Sequence, residues 1–286
     1  MAAAASIPAL HAATTWPHTA HWPWYVTLVY MAAAVMFALS LKWLSSHKTA
    51  RRGVKIGEIG MAAAILATLF LPEVRQYNWI FAGAVIGAAI GVLLAVLTPM
   101  TAVPQQTALS HAFGALAAAL VGTAEFYGHH AQLTAGSTAA IGLESLLGYL
   151  TFTGSLIAAG KLQEVLPTRP ISYPLQNPIN LSVLAAAVAC GVWMCISPHI
   201  VFLYPVFVGL SLLFGVLLII PIGGGDMPTV IALLNSYAGL SASAMGFVVN
   251  NKLLIIAGTP MSTSSPPLIL RVTLPETGSP SFLVCS

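Results

Sequence analysis

The sequence predicts an all-α fold, a polytopic transmembrane helical bundle of about eight spans plus an incomplete ninth. Three observations carry this. Only 6% of the 286 residues are charged, against about a quarter in an ordinary soluble domain. The apolar residues, 58% of the chain, come in continuous blocks long enough to cross a hydrocarbon core, which takes about 20 helical residues. Within the blocks apolar and polar residues do not alternate, as they do in the strands of a membrane barrel.

The elements follow in order. Residues 1–24 form an N-terminal tail whose first 22 positions hold no Lys, Arg, Asp or Glu. That argues against a secretory signal with a basic start and against an Arg-rich transit peptide. Trp22, Trp24 and Tyr25 mark the headgroup level where a first span begins. It runs from Tyr25 to Leu44. A second covers Val54–Leu71, closed by Pro72, and a third covers Trp79–Leu97, closed by Pro99. The fourth is Thr107–Tyr127 and the fifth Ala139–Ala159. The sixth, Leu181–Ile196, is closed by Pro198, and the seventh, Ile200–Ile220, by Pro221. The eighth is Pro228–Val249, and a ninth starts at Leu253 and stops at Gly258. Proline removes a backbone donor and clashes with the preceding turn, so it ends a span cleanly. The domain reading is a tail over 1–24, a transmembrane domain over 25–258 and a C-terminal tail over 259–286. That last stretch is rich in Pro and Ser, has no spanning apolar run, and reads as a disordered truncation or a wrong-frame translation.

Charge sets the orientation and excludes some partners. A formal net charge of +3 is too small for a nucleic-acid partner. Lys48, Arg51, Arg52 and Lys55 make the densest basic patch, and Lys161 with Arg169 fall in a second loop on the same side. The opposite loops hold Glu73 with Arg75, Glu125 and Lys252. Basic loops stay inside, so the N-terminus is expected outside and the Gly223–Asp226 loop inside. Cys190, Cys195 and Cys285 lack metal-site spacing and read as small packing residues. Gly83, Gly87 and Gly91 read as a packing stripe.

Ionisable groups inside a span cost roughly 2.5–3.5 kcal/mol for Asp, Lys or Arg and persist where they face a cavity or a partner. His111, Ala115, Ala118, Gly122 and Glu125 share one helix face. Imidazole titrates at about pH 6.5, so His111 is either a proton carrier or a structural ring bonded across two helices. Glu144, Gly148, Thr151 and Ser155 share another face. Glu144 either pairs with His111 or Glu125 or sits near the headgroups. Asn235 leads a face with Gly239, Ala242 and Gly246; it either orients a water or an imidazole or bridges helices. Asp226 stands before Met227-Pro228, where a carboxylate caps a helix or serves a site. His129 and His130 read as a solvated loop pair. No G-x-G-x-x-G after a strand, no Walker loop and no H-E-x-x-H occurs.

Four stretches resemble one family. GGGDMPTVIALLNSYAGLSASAMGFVVNNKLLIIAG (223–258), TFTGSLIAAGKLQ (151–163), LSHAFGALAAALVG (109–122) and KTARRG (48–53) are similar, in the family's order, to the membrane domain of the beta subunit of proton-translocating NAD(P) transhydrogenase. The D-M-P-x-V-x-x-x-L-N-S-Y run is the most specific of them. The resemblance covers about Tyr25 to Gly258. It implies the membrane part of a Re/Si-specific enzyme that couples proton movement to hydride transfer between NADH and NADP. The implied proton path holds His111, Asn235, Glu144 and Asp226. This chain is then expected to bind no cofactor, with NADP and NAD held in partner domains, and to be inactive alone. The implied partners are the alpha subunit or a fused equivalent, an NADP-binding domain, the lipid bilayer and a second copy in a homodimer of the full complex. The implied site is the inner membrane, bacterial or mitochondrial. A non-catalytic truncated remnant and a redox-independent transporter are the competing classes; the second calls for inverted repeats with broken helices, which the sequence does not display.

Overall fold

The computed structural model describes residues 23–248, apart from 45, 47, 72, 73, 75, 130–132 and 198–200, together with 254, 255 and 258. Expectations for the two tails, for His130, Glu73, Arg75, Lys252 and Cys285, and for most of the ninth span lie outside the described residues. Among those described there are eight α-helices and no strand. They are α1 (Trp24–Leu44), α2 (Ala50–Leu69), α3 (Tyr77–Leu97), α4 (Val103–His129), α5 (Ala135–Leu162), α6 (Gln176–Ile196), α7 (Leu203–Ile219) and α8 (Met227–Val248). Short 3-10 turns, Met100–Ala102 and Gly224–Asp226, precede α4 and α8.

Six segments are long and apolar enough to cross a membrane: α1, α3, α4, α5, α6, and α8 with its preceding turn. The other two fall short for different reasons. Helix α2 carries Arg51, Arg52, Lys55 and Glu58 in its first half, so the basic patch read as a loop is largely helical. Helix α7 is apolar but only 17 residues long.

Several helices begin earlier than their apolar runs. Helix α4 starts at Val103, α5 at Ala135 and α6 at Gln176. Hydropathy marks where lipid begins, whereas the helical hydrogen-bond ladder continues to its cap. At α5 that cap is Thr134, whose side chain accepts from the Ser137 amide at 3.3 Å. Pro104 and Pro178 sit in first turns, where a missing N–H costs nothing.

Helix α5 is the centre of the bundle. It packs against α4, α6, α7 and α8, while α6 also meets α7 and α4 meets α8. One apolar cluster joins Leu150 and Ala158 of α5 to Phe214 and Ile219 of α7 and to Leu233 and Leu234 of α8. A second joins Phe126, Ile141, Met194, Tyr204, Phe207 and Met245 near the other end. Helices α1 and α2 form a hairpin around Val26, Tyr30, Ala33, Ala64 and Ala67. Helix α3 buries no residue. A β-carbon on Gly83, Gly87 or Gly91 would meet no described atom beyond its own helix backbone within 4 Å, so the stripe read as packing has no partner among the described residues.

Lipid supplies no hydrophobic drive between helices, so contact rests on close backbone approach at small residues. A β-carbon on Gly148 would stand 2.9 Å from the Ala119 methyl and 3.3 Å from the Ala115 carbonyl oxygen. One on Gly215 would strike Thr153 Oγ1 and the Leu150 carbonyl oxygen. At that crossing Thr153 Oγ1 also donates to the Leu212 carbonyl at 2.9 Å. Gly215→Ala must therefore move backbone. Overpacking of this kind costs about 1–3 kcal/mol, and thermal unfolding in detergent should show a lowered Tm. Gly209→Ala, which points into open space, should leave Tm unchanged or raised. Equal melting of the two variants would refute the α5–α7 contact.

Candidate functional site

Two levels of buried polar groups lie along α5. At the first, His111 of α4 is half-buried, and its ring sits against the Leu234 backbone of α8. Its Nε2 is buried with no hydrogen-bond partner among the described residues. Asn235, also half-buried, follows Leu234 directly. Gln105 against Leu162, Ala119 against Gly148 and Gly122 against Glu144 set the antiparallel register of α4 and α5. That register puts His111 level with Ser155 and one turn from Thr151. Ser241 Oγ donates to the Glu144 carbonyl at 3.2 Å, and the Leu234 side chain packs on Gly154. Those contacts put Asn235 level with residues 150–153. Thr151 Oγ1 and Ser155 Oγ are buried and unpartnered as well. One depth of the bundle thus holds an amide beside an imidazole nitrogen and two hydroxyls that lack partners among the described residues. Each unpaired buried polar atom costs about 1–3 kcal/mol, and such atoms call for a water or a mobile proton.

Glu144 belongs to the second level. It is fully buried, Ser145 Oγ lies 3.2 Å from its Oε2, and its Oε1 has no partner. The carboxyl occupies the space that a side chain at Gly122 would need. A β-carbon there would collide with Oε2, lie 2.8 Å from Glu144 Cδ and lie 3.1 Å from Ser145 Oγ. Gly122 is eleven residues from His111, about 16 Å along the helix axis, so a Glu144–His111 pair is out of reach. Glu125 lies in the last turns of α4 rather than in a loop, and its Oε1 is 3.1 Å from His129 Nδ1. His129 is the last residue of that helix and not a loop residue.

Asp226 is exposed in the 3-10 turn at the foot of α8, nine residues before Asn235, about 13 Å along the axis. Of the four residues singled out in the sequence, then, only His111 and Asn235 come together. Asp226 and Glu144 mark a lower and an upper level.

Lys161 was read as a loop charge. It sits in the last turn of α5 with 1% of its surface exposed. Its Nζ donates to the carbonyls of Ile220 and Ile222 at 2.5 and 2.6 Å. The last carbonyls of a helix have no intrahelical donors, so this ammonium ties the end of α7 to α5. The signal was present: the small-residue run Ala158, Ala159, Gly160 leads straight into Lys161 with no break. The glycine run Gly223–Gly225 is held nearby, with the Gly224 amide donating to Thr168 O at 2.7 Å and the Asp226 amide to Gly223 O at 3.1 Å.

Among the described residues no group of three or more His, Cys, Asp or Glu side chains could hold a metal ion. Two variants probe the site. Gly122→Ala should push the Glu144 carboxyl off Ser145 without moving backbone, visible in a structure of the variant as a rotated Glu144. An unmoved carboxyl would contradict the close fit. Lys161→Met should lose about 1.5–3 kcal/mol, the worth of hydrogen bonds to a charged group, read as a lower Tm in detergent; wild-type melting would dismiss Lys161 as an anchor.

Sequence comparison relates the chain to known proteins. The family described as NAD(P) transhydrogenase beta subunit matches residues 26–271, which reaches past Gly258 into the Pro- and Ser-rich stretch. The chain is 41% identical over 242 residues to NAD(P) transhydrogenase subunit beta of Rhodospirillum rubrum, and aligns identically with the subunit of that name from a designated strain of the same species. Each alignment covers 82% of this chain and 52% of the relative. The chain thus spans about half the length of the curated relatives it matches.

Proposed function

The chain belongs to the NAD(P) transhydrogenase beta subunit family, and from that premise we propose that it forms the proton-conducting membrane part of a transhydrogenase. The observation that carries the reading is the buried, unpartnered Nε2 of His111, set level with Asn235 and with the unpartnered hydroxyls of Thr151 and Ser155.

All eight helices cross the inner membrane in this reading, α2 and α7 with help from their neighbours, and the N-terminus lies outside. A proton from the external side reaches the Glu144 level first. It passes to His111, whose ring can take it at Nε2 because no protein group occupies that nitrogen. Asn235 cannot titrate and orients the imidazole or a water beside it. The proton leaves toward the inner face past Asp226. Lys161 holds the end of α7 and the start of the Gly223–Asp226 turn in place, so the inner mouth keeps its shape.

NAD and NADP enter as ligands of other domains. The glycine run Gly223–Gly225 does not fit a dinucleotide phosphate, because the Gly224 and Asp226 amides are already bonded within the protein. Hydride transfer between NADH and NADP then belongs to an NADP-binding domain on the inner side and to the alpha subunit or a fused equivalent. The full complex is a homodimer, and this chain alone would transfer no hydride. Coupling is a free energy shared between two sites, so nucleotide state and proton occupancy at His111 must influence one another reciprocally.

His111→Asn keeps a polar side chain but removes titration. In the intact enzyme it should abolish proton pumping and coupled hydride transfer together. Proton flux into proteoliposomes and reduction of a nucleotide analogue measure the two; normal coupled activity would remove His111 from the path.

A further inference from the structure

The reading above uses Glu144 as a single carboxyl, but its surroundings form a chain. Ser145 Oγ and Tyr204 OH are 2.7 Å apart, Tyr204 OH and Thr123 Oγ1 2.9 Å, and Thr123 Oγ1 and Tyr149 OH 2.6 Å. Thr123 Oγ1 also donates to the Ala119 carbonyl at 2.9 Å. The groups come from α4, α5 and α7, and Glu144, Ser145 and Tyr204 are almost completely buried. The Tyr204 ring is fixed by stacking on Phe126, with centroids 4.4 Å apart and planes 13° from parallel. Its hydroxyl therefore has little freedom to seek other partners.

Each hydroxyl carries one hydrogen, and an ionised carboxylate only accepts. Counting donors gives five hydrogens for five contacts when Glu144 is protonated and four when it is ionised, so ionisation must leave one contact unfilled; full reversal of the chain is the arrangement that fills every link from Glu144 to Thr123. With a proton on Glu144, the carboxyl donates to Ser145, Ser145 to Tyr204, Tyr204 to Thr123, and Thr123 to the Ala119 carbonyl. Tyr149 donates to the second lone pair of Thr123, and every contact is filled. With Glu144 ionised, Ser145 turns to donate to it, Tyr204 to Ser145, and Thr123 to Tyr204. Ala119 O then loses the Thr123 hydrogen. No bond other than hydrogen bonds is exchanged, and the only proton gained or lost is the one at the carboxyl.

We propose that Ser145, Tyr204 and Thr123 are positioning residues of the proton path: a hydroxyl chain whose donor direction reverses with the proton on Glu144 and passes that state to the backbone of α4. Ala119 lies eight residues from His111 on that helix, about 12 Å along the axis. The two polar levels of the bundle are joined through α4 itself and need no contact between Glu144 and His111. This rests on the reading of Glu144 as a proton-path group.

The test uses the intact enzyme in its membrane and the rate of proton-coupled hydride transfer. Tyr204→Phe keeps the ring and its stack but removes the hydroxyl. Thr123→Val removes the other link, and Thr123→Ser restores it. Tyr204→Phe and Thr123→Val should each slow the coupled rate about tenfold, the effect of one hydrogen bond at the upper end of its usual strength, and Thr123→Ser should recover it. In a Glu144→Gln background Tyr204→Phe should add no further loss, since the chain no longer has a proton to follow. A wild-type rate in Tyr204→Phe, the same loss in both backgrounds, or failure of Thr123→Ser to recover would overturn the proposal. A normal rate in Glu144→Gln would instead overturn the assignment of Glu144 beneath it. If Tyr204→Phe does not assemble, the Thr123→Val and Thr123→Ser pair in the two backgrounds decides the question.

Discussion

The close approach of α4 to α5 governs where polar chemistry is possible in this bundle. Where Gly148 lies on Ala115 and Ala119 the backbones leave no room for a side chain, and where Glu144 lies on Gly122 the missing side chain is replaced by a carboxyl. The small residues thus both hold the helices together and create the slot that buries an acid. They also fix the register that sets His111 opposite Ser155. A bulkier residue at Gly148 would press on the Ala115 and Ala119 backbone and disturb contact and register together, whereas one at Gly122 would meet only the Glu144 and Ser145 side chains.

The α4–α5 face has a division of labour that follows from solvation. Apolar side chains of α5 point toward α7 and α8, where Leu150, Ala158, Phe214 and Leu234 close a dry cluster. Glu144 of α5 lies where α4 supplies a glycine, Gly122. In lipid a hydroxyl or carboxyl cannot reach solvent, so it must be satisfied by protein, water or a proton. Thr153 takes the first course, donating across to Leu212 O. Thr151 and Ser155 have no such partner. Neighbours on one helix thereby serve different ends, the first as packing glue and the others as lining.

Much of this was legible in the sequence, and the limits are physical. Helix existence and order follow from apolar blocks, because lipid permits little else. The faces bearing His111, Glu144 and Asn235 follow from helical periodicity, and the family resemblance singled out the same residues. Register between helices was not legible, since it is decided by which glycine meets which alanine across a gap. For that reason a Glu144–His111 pair looked open in the sequence and is excluded by the 11-residue offset along α4. Lys161 was misread because a Lys after an apolar run looks the same whether it meets water or two carbonyls. Tyr204 gave no signal, since an aromatic near a span end usually anchors at the interface, whereas here its hydroxyl is drawn inward to Ser145 and Thr123. The Gly83, Gly87, Gly91 stripe meets no partner among the described residues, since small residues permit close packing without supplying what packs.

On the proposed function, the separation of the levels bears on how proton conduction and coupling can coexist. A continuous polar file from face to face would leak, since nothing would stop a proton moving without work being done. Here the exposed Asp226, the His111 level and the buried Glu144 are spaced by about 13 and 16 Å of helix, too far for direct transfer between side chains. On the proposed function, proton passage would then depend on small movements that admit water to one interval at a time. Helices packed through glycine and alanine suit such movements, because sliding across small side chains meets few interlocking knobs. The end of the bundle near Asp226, by contrast, is pinned by Lys161 to the end of α7. A bundle fixed at that end and smooth between α4 and α5 would confine motion to the level where the unpartnered imidazole sits.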